Sequence, residues 1–133
     1  MNNQKNIVLC GVGGQGTVLA SKLLAAAAMS KDIPVMSAET IGMAQRGGSV
    51  FSHLRMGDNL YSPMIETGTA DLIIGFEPGE TVRMLPYLKD HGHIVVSTRA
   101  VKPVTATLSG SDYDAPQMLE YLKAAVPNLT LVN

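Results

Sequence analysis

The chain is poor in the residues that build reactive centres by themselves. Cys10 is its one cysteine in 133 residues, so neither an internal disulfide nor a multi-cysteine metal or iron–sulfur site can be made by this chain alone. Tryptophan is absent, aromatics make up 5%, and no basic run alternates with aromatic residues. Charge is sparse as well. Ten Lys and Arg against eleven Asp and Glu leave a net charge of −1, which argues against nucleic acid or an anionic membrane as the main ligand. The longest apolar run near the N-terminus, residues 18–29, is broken by Ser21 and Lys22 and is too short to cross a bilayer. No signal-peptide pattern precedes the first strand, and a cytoplasmic location is expected. What the chain has in quantity is apolar: hydrophobic residues make up 46%. That suffices for one domain with a sizeable core, and for a surface partly hidden in a partner.

Periodicity predicts alternating strands and helices. Residues 6–10 form a short apolar run ending in glycines, as a buried parallel strand does. Residues 17–30, rich in Ala and Leu and free of Pro, read as a helix. Apolar residues surround so much of it that burial on more than one side is expected. Residues 33–37 give a second strand and complete a βαβ unit. Residues 49–56 alternate in polarity, and Gly57-Asp58-Asn59 predicts a hairpin turn into a short strand at Leu60 and Tyr61. Further strands are expected at 71–76 and 93–97, with a helix at 81–89 that Pro86 ends or bends. A proline-bearing stretch at 102–107 reads as an edge strand. A helix at 117–126 is capped by Asp114, with Pro116 in its first turn, and a last strand covers 129–132.

The expected class is α/β: a three-layer Rossmann-like domain with a mostly parallel central sheet and a hairpin extension, one domain over residues 1–133. A parallel strand at the very end with no covering helix reads as a domain shortened at its C-terminal end, or completed by a partner. Its uncovered apolar residues favour self-association.

Two loops stand out. Gly11, Gly13 and Gly16 give G-x-G-x-x-G spacing between a strand and a helix, where backbone can approach a phosphate at a helix N-terminus. Glu39, 23 residues after Gly16, falls near the place of a ribose-binding acid. The alternative is a tight strand–helix junction in which Gly14 and Gln15 serve the turn and no ligand. The second loop runs from Glu39 and Thr40 to Ser49 and is too polar and glycine-rich to be core. Arg46-Gly47-Gly48 can form a backbone nest beside a cation, an anion site. Met43 and Ala44 inside the same loop favour packing against another subunit.

Glu77, at the carboxyl end of a central strand, serves either a ligand or a helix cap. His53, His91 and His93 lack metal-ligand spacing, and His91 and His93 flank Gly92 in a turn. Cys10 reads as a small buried filler. No nucleophile–base pair is visible, so no catalytic residue and no metal ligand is assigned.

Gly11 to Gly16, Ala38-Glu39-Thr40, the string from Gly42 through Val50, Tyr61-Ser62-Pro63 and residues 71–78 together resemble the gamma family of 2-oxoacid:ferredoxin oxidoreductases, and within it the indolepyruvate branch. The resemblance covers essentially all of the chain. Met43-Ala44-Gln45-Arg46-Gly47-Gly48-Ser49-Val50 is its specific part, and family members continue past the last strand found here. It implies a subunit of a heteromeric complex that decarboxylates a 2-oxoacid, an aryl pyruvate such as indolepyruvate, and releases an acyl-CoA. Electrons pass through iron–sulfur clusters to ferredoxin. Thiamine diphosphate, Mg and the clusters are expected in the large partner subunit. This chain alone is expected to bind no cofactor and to be inactive, with CoA a substrate of the complex. The resemblance makes Gly11, Gly13, Gly14, Gln15 and Gly16 a structural turn. It puts Glu39, Thr40, Met43, Gln45, Arg46, Gly47, Gly48 and Ser49 at a subunit contact or on the substrate and CoA side, with Arg46 facing an anionic group. Competing readings are an independent NAD- or FAD-binding module and a purely structural subunit.

Overall fold

The computed structural model describes residues 4–41, 48–100 and 115–133. In chain order these form β1 (Lys5–Val12), α1 (Thr17–Ser30), β2 (Val35–Ile41), β3 (Ser49–Met56), β4 (Ala70–Gly75), α2 (Pro78–Arg83), a 3-10 turn (Leu85–Tyr87), β5 (Leu88–Ser97), α3 (Ala115–Ala125) and β6 (Leu129–Val132). The strands make one sheet in the order β2-β3-β1-β4-β5-β6. β1, β4, β5 and β6 pair in parallel, whereas β3 is antiparallel to both β1 and β2. The result is the mostly parallel, Rossmann-like α/β arrangement expected.

The hairpin is built differently from the expectation. β2 and β3 form it, in register from Val35–Met56 to Ile41–Val50. The turn at Gly57-Asp58-Asn59 exists, with Asn59 at φ 60°, but Leu60 and Tyr61 form no strand. Met56 already faces Lys5 on one side and Val35 on the other, so β3 has no open edge for a further partner. Side chains hold the following segment instead. Arg55 donates to the Ser62 carbonyl at 2.9 Å while binding Asn6 and Gln4, and the Ile65 N–H donates to His53 Nδ1 at 2.9 Å. The same insertion separates β1 from β2, so the first βαβ unit spans an intervening strand.

Pleating sends alternate residues of β1 to opposite faces. Val8 and Cys10 join Ile73, Ile94 and Val96 and, from α3, Leu122, in the main core. Leu9 lies on the other face, where α1 packs over β1, β2 and β3. α1 turns Thr17, Ser21 and Ala28 inward and leaves Leu19, Leu23 and Met29 at 60%, 62% and 64% exposure. Among the described residues, burial of α1 on more than one side is therefore not found: small side chains let the helix lie close to the sheet, Leu24 is half-buried, and Leu19 and Leu23 point away.

The helix expected at 81–89 is split. Pro78 starts α2 early, where its missing N–H costs nothing, and a 3-10 turn containing Pro86 follows. β5 then begins at Leu88, so His93 lies in a strand, bonded to Thr130. The stretch at 102–107 and Asp114 lie outside the described residues. α2 presses hard on β4. A Cβ at Gly75 would sit 1.7 Å from Thr81 Oγ1, so only glycine admits the helix there.

Two outcomes are expected. Gly75→Ala should cost about 2–3 kcal/mol in urea unfolding, because the clash is with a buried side chain on a packed helix. His53 is buried without a partner for Nε2 among the described residues, and burial lowers its pKa from the ordinary 6.5. An unfolded His53 takes up a proton that the folded one refuses. Stability should therefore be full above pH 6.5 and fall as pH drops below it, by up to about 1.4 kcal/mol per pH unit. Unfolding midpoints measured between pH 7.5 and 5 should show this slope, and His53→Gln should flatten it.

Candidate functional site

The carboxyl ends of β1 and β4 meet the start of β3 at one edge of the sheet, since Val12 pairs with Ser49 and Cys10 with Gly75. After β1 the chain crosses to one face through α1, and after β4 to the other through α2. Such a divergence is where open α/β sheets leave a ligand crevice.

Here Gln15 spans that place. Its Oε1 accepts from the Val12 N–H at 2.6 Å and its Nε2 donates to the Phe76 carbonyl at 3.1 Å. Gly11 makes room for it: a Cβ there would lie 2.8 Å from Gln15 Oε1 and from Thr17 Oγ1. Gly14 and Gly16 adopt φ of 95° and 92°, and Gly16 caps α1 without a side-chain bond. The Gly13 N–H donates to the Gly48 carbonyl at 2.8 Å. The glycine loop is thus tied to the end of the second loop.

Glu39 is not beside the glycine loop. It pairs with Ser52, which pairs with Leu9, so all of β3 lies between Glu39 and β1, about 10 Å across two strand spacings. The sequence spacing that suggested a ribose-binding acid assumes adjacent strands. Thr40 is exposed near the end of β2. Met43, Gln45, Arg46 and Gly47 lie outside the described residues.

Glu77, fully buried, is the N-cap of α2, accepting from the Glu80 N–H at 2.9 Å. Two residues that sequence reasoning passed over complete the edge. Ser49 Oγ donates to Glu80 Oε1 at 2.8 Å, and Arg83 Nη1 donates to Ser49 Oγ at 3.1 Å. An acid three residues after an N-cap is a known helix-start signal, and Arg83 follows Glu80 by one helical turn, so both were visible in principle. Nearby, Cys10 offers its thiol to Thr81 at 3.9 Å. Burial pushes its pKa up to about 12, despite the opposing effect of the Thr81 hydroxyl, so it is an inert filler. No three His, Cys, Asp or Glu side chains gather as a metal group among the described residues. No helix there is long and apolar enough to cross a membrane.

Residues 6–131 match the family model described as pyruvate ferredoxin/flavodoxin oxidoreductase. The chain belongs to this family. It is 40% identical over 129 residues to the indolepyruvate oxidoreductase subunit IorB of Archaeoglobus fulgidus, covering 96% of this chain and 64% of that protein. The IorB of Methanothermobacter thermautotrophicus is 42% identical over 108 residues, covering 81% of this chain and 55% of the relative. The chain therefore spans less than two thirds of either relative's length. Among solved structures, the 2-oxoglutarate:ferredoxin oxidoreductase of Magnetococcus marinus superposes with TM-score 0.67 at 16% identity, over 98% of this chain and 20% of that one. The pyruvate oxidoreductase subunit PORC of Thermotoga maritima gives 0.58 at 22% identity, over 81% and 56%. At those identities the solved structures of this oxidoreductase family establish the fold alone.

Gln15→Ala removes two hydrogen bonds of the glycine loop and should lower stability by about 2 kcal/mol in denaturant unfolding. Gln15→Glu should do no better, because a carboxylate cannot donate to the Phe76 carbonyl.

Proposed function

We propose that this chain is the small, gamma-type subunit of an indolepyruvate-type 2-oxoacid:ferredoxin oxidoreductase in the cytoplasm. The observation that carries the reading is the identity of 40% and 42% to two IorB proteins along most of this chain. In the complete enzyme an aryl 2-oxoacid is decarboxylated, its acyl group leaves as an acyl-CoA, and the electrons go to ferredoxin. Thiamine diphosphate, with Mg, supplies the carbanion stabilisation that decarboxylation needs, and we place it with the iron–sulfur clusters on the large partner subunit. The donor set of this chain agrees: its sole thiol is buried against Thr81 and cannot reach a cluster.

The role we assign to this chain is to build one wall of the complex around the carboxyl edge of its sheet. The glycine loop is a junction there rather than a dinucleotide cradle, a reading supported by the Gln15 bridge and by β3 standing between Glu39 and β1. The segment running from Glu39 to Ser49 faces the partner, and Arg46 contacts an anionic group of CoA or of the large subunit.

Co-expression with the thiamine-binding subunit, followed by assay of CoA-dependent viologen reduction with a panel of 2-oxoacids, tests this. Co-purification with activity on an aryl pyruvate is the expected result. Arg46→Ala should raise the KM for CoA about ten-fold, the scale of one charge-assisted hydrogen bond, or reduce assembly. A chain that purifies alone, ignores every 2-oxoacid and binds NAD would overturn the reading.

A further inference from the structure

We propose that Glu80 is a positioning residue: with Ser49 and Arg83 it moors the start of β3 to α2 and holds the sheet edge in the shape that reads the cosubstrate anion. This rests on the functional reading above. A carboxylate side chain with 4% exposure is costly to bury unless its charge is met. Glu80 meets it with the Ser49 hydroxyl at 2.8 Å and the Arg83 guanidinium at 3.6 Å. Ser49 spends its proton on Glu80 and a lone pair on Arg83, so its rotamer is held from both sides.

One residue earlier, the Gly48 carbonyl is held by the Gly13 N–H. Consecutive residues at the entry to β3 are thus tied to two different elements, Gly48 to the β1–α1 loop and Ser49 to α2. The α2 side of the tie is firm. Glu77 caps the helix, the Thr81 hydroxyl donates to the Glu77 carbonyl at 2.8 Å, and Gly75 lets the helix seat against β4. Arg83, at 64% side-chain exposure, has its guanidinium aimed by Ser49 and Glu80. Removal of the Glu80 charge weakens both bonds at once, because a neutral amide oxygen accepts less strongly from the Ser49 hydroxyl and the Arg83 guanidinium than a carboxylate does.

The test uses the assembled complex of the full-length chain with its large subunit. Glu80→Gln and Ser49→Ala should each raise the KM for CoA about ten-fold. The KM for the 2-oxoacid and kcat at saturating CoA should stay within about two-fold of wild type, the pattern of lost binding without lost chemistry. Ser49→Thr, which keeps the hydroxyl, should restore the KM. Hydrogen exchange on the same complexes supplies a readout that needs no turnover. Peptides containing Gly13 and those containing Ser49 should exchange faster in Glu80→Gln and Ser49→Ala, and peptides from β5 should not. An unchanged KM for CoA with only a lower melting temperature would overturn the positioning role, as would unchanged exchange. Arg83→Met, made on an exposed side chain, repeats the test should Glu80→Gln fail to assemble. Wild-type complex without CoA-dependent oxidation would defeat the functional reading instead, and the exchange result would still decide the mooring.

Discussion

The antiparallel seating of β3 between β2 and β1 governs the rest of the molecule. Once β3 runs from Ser49 beside Val12 to Met56 beside Lys5, the start of β3 is carried to the carboxyl end of β1. The glycine loop and Gly48 then meet through one backbone hydrogen bond. The same placement brings β3 under α1 on one face and under Ile65 and Tyr87 on the other, which explains why Ser52 and His53 are not at the surface. His53 is buried against the Ile65 N–H, and Ser52 is buried on the opposite face. It also removes Glu39 from β1 by a full strand, and with that the acid that a dinucleotide site would place beside the glycines.

Close approach and polar bonding share the work at the carboxyl edge. At this edge a Cβ on Gly75 or on Gly11 would strike a neighbouring side chain, and each glycine lets a polar residue, Thr81 or Gln15, come close. Gln15, Glu77 and Glu80 then satisfy backbone or side-chain donors that would be costly to leave unpaired. The edge is therefore held by directional bonds, whereas the middle of the sheet is held by Val8, Ile73, Ile94 and their neighbours through area alone. Directional bonds fix atoms to a few tenths of an ångström, which suits a surface that must present a defined shape. Area fixes only which faces meet.

Much of the local structure was legible. α1, β3 and β6 have the limits that periodicity predicts, because Ala and Leu content, strict alternation and a turn on either side are local signals. The string from Met43 to Val50 carried the family. The helix after β4 was misplaced because Glu77 and Pro78 start it earlier than its apolar residues suggest. In the candidate site Gln15 and Ser49 were singled out, but Glu80 and Arg83 were not, since their importance comes from Ser49, 31 residues away in sequence for Glu80.

The sequence by itself determined most of the strands and helices, among them α1, β3 and β6 to their limits, and that Cys10 stands alone. Only the tertiary structure decided the order of the strands, the bridging role of Gln15 and the partners of Glu80. The reason is physical. Every strand carries the same backbone donors and acceptors, so its pattern states that it pairs but not with which neighbour. That choice is made by contacts between distant residues, and the chemistry of the edge follows from it.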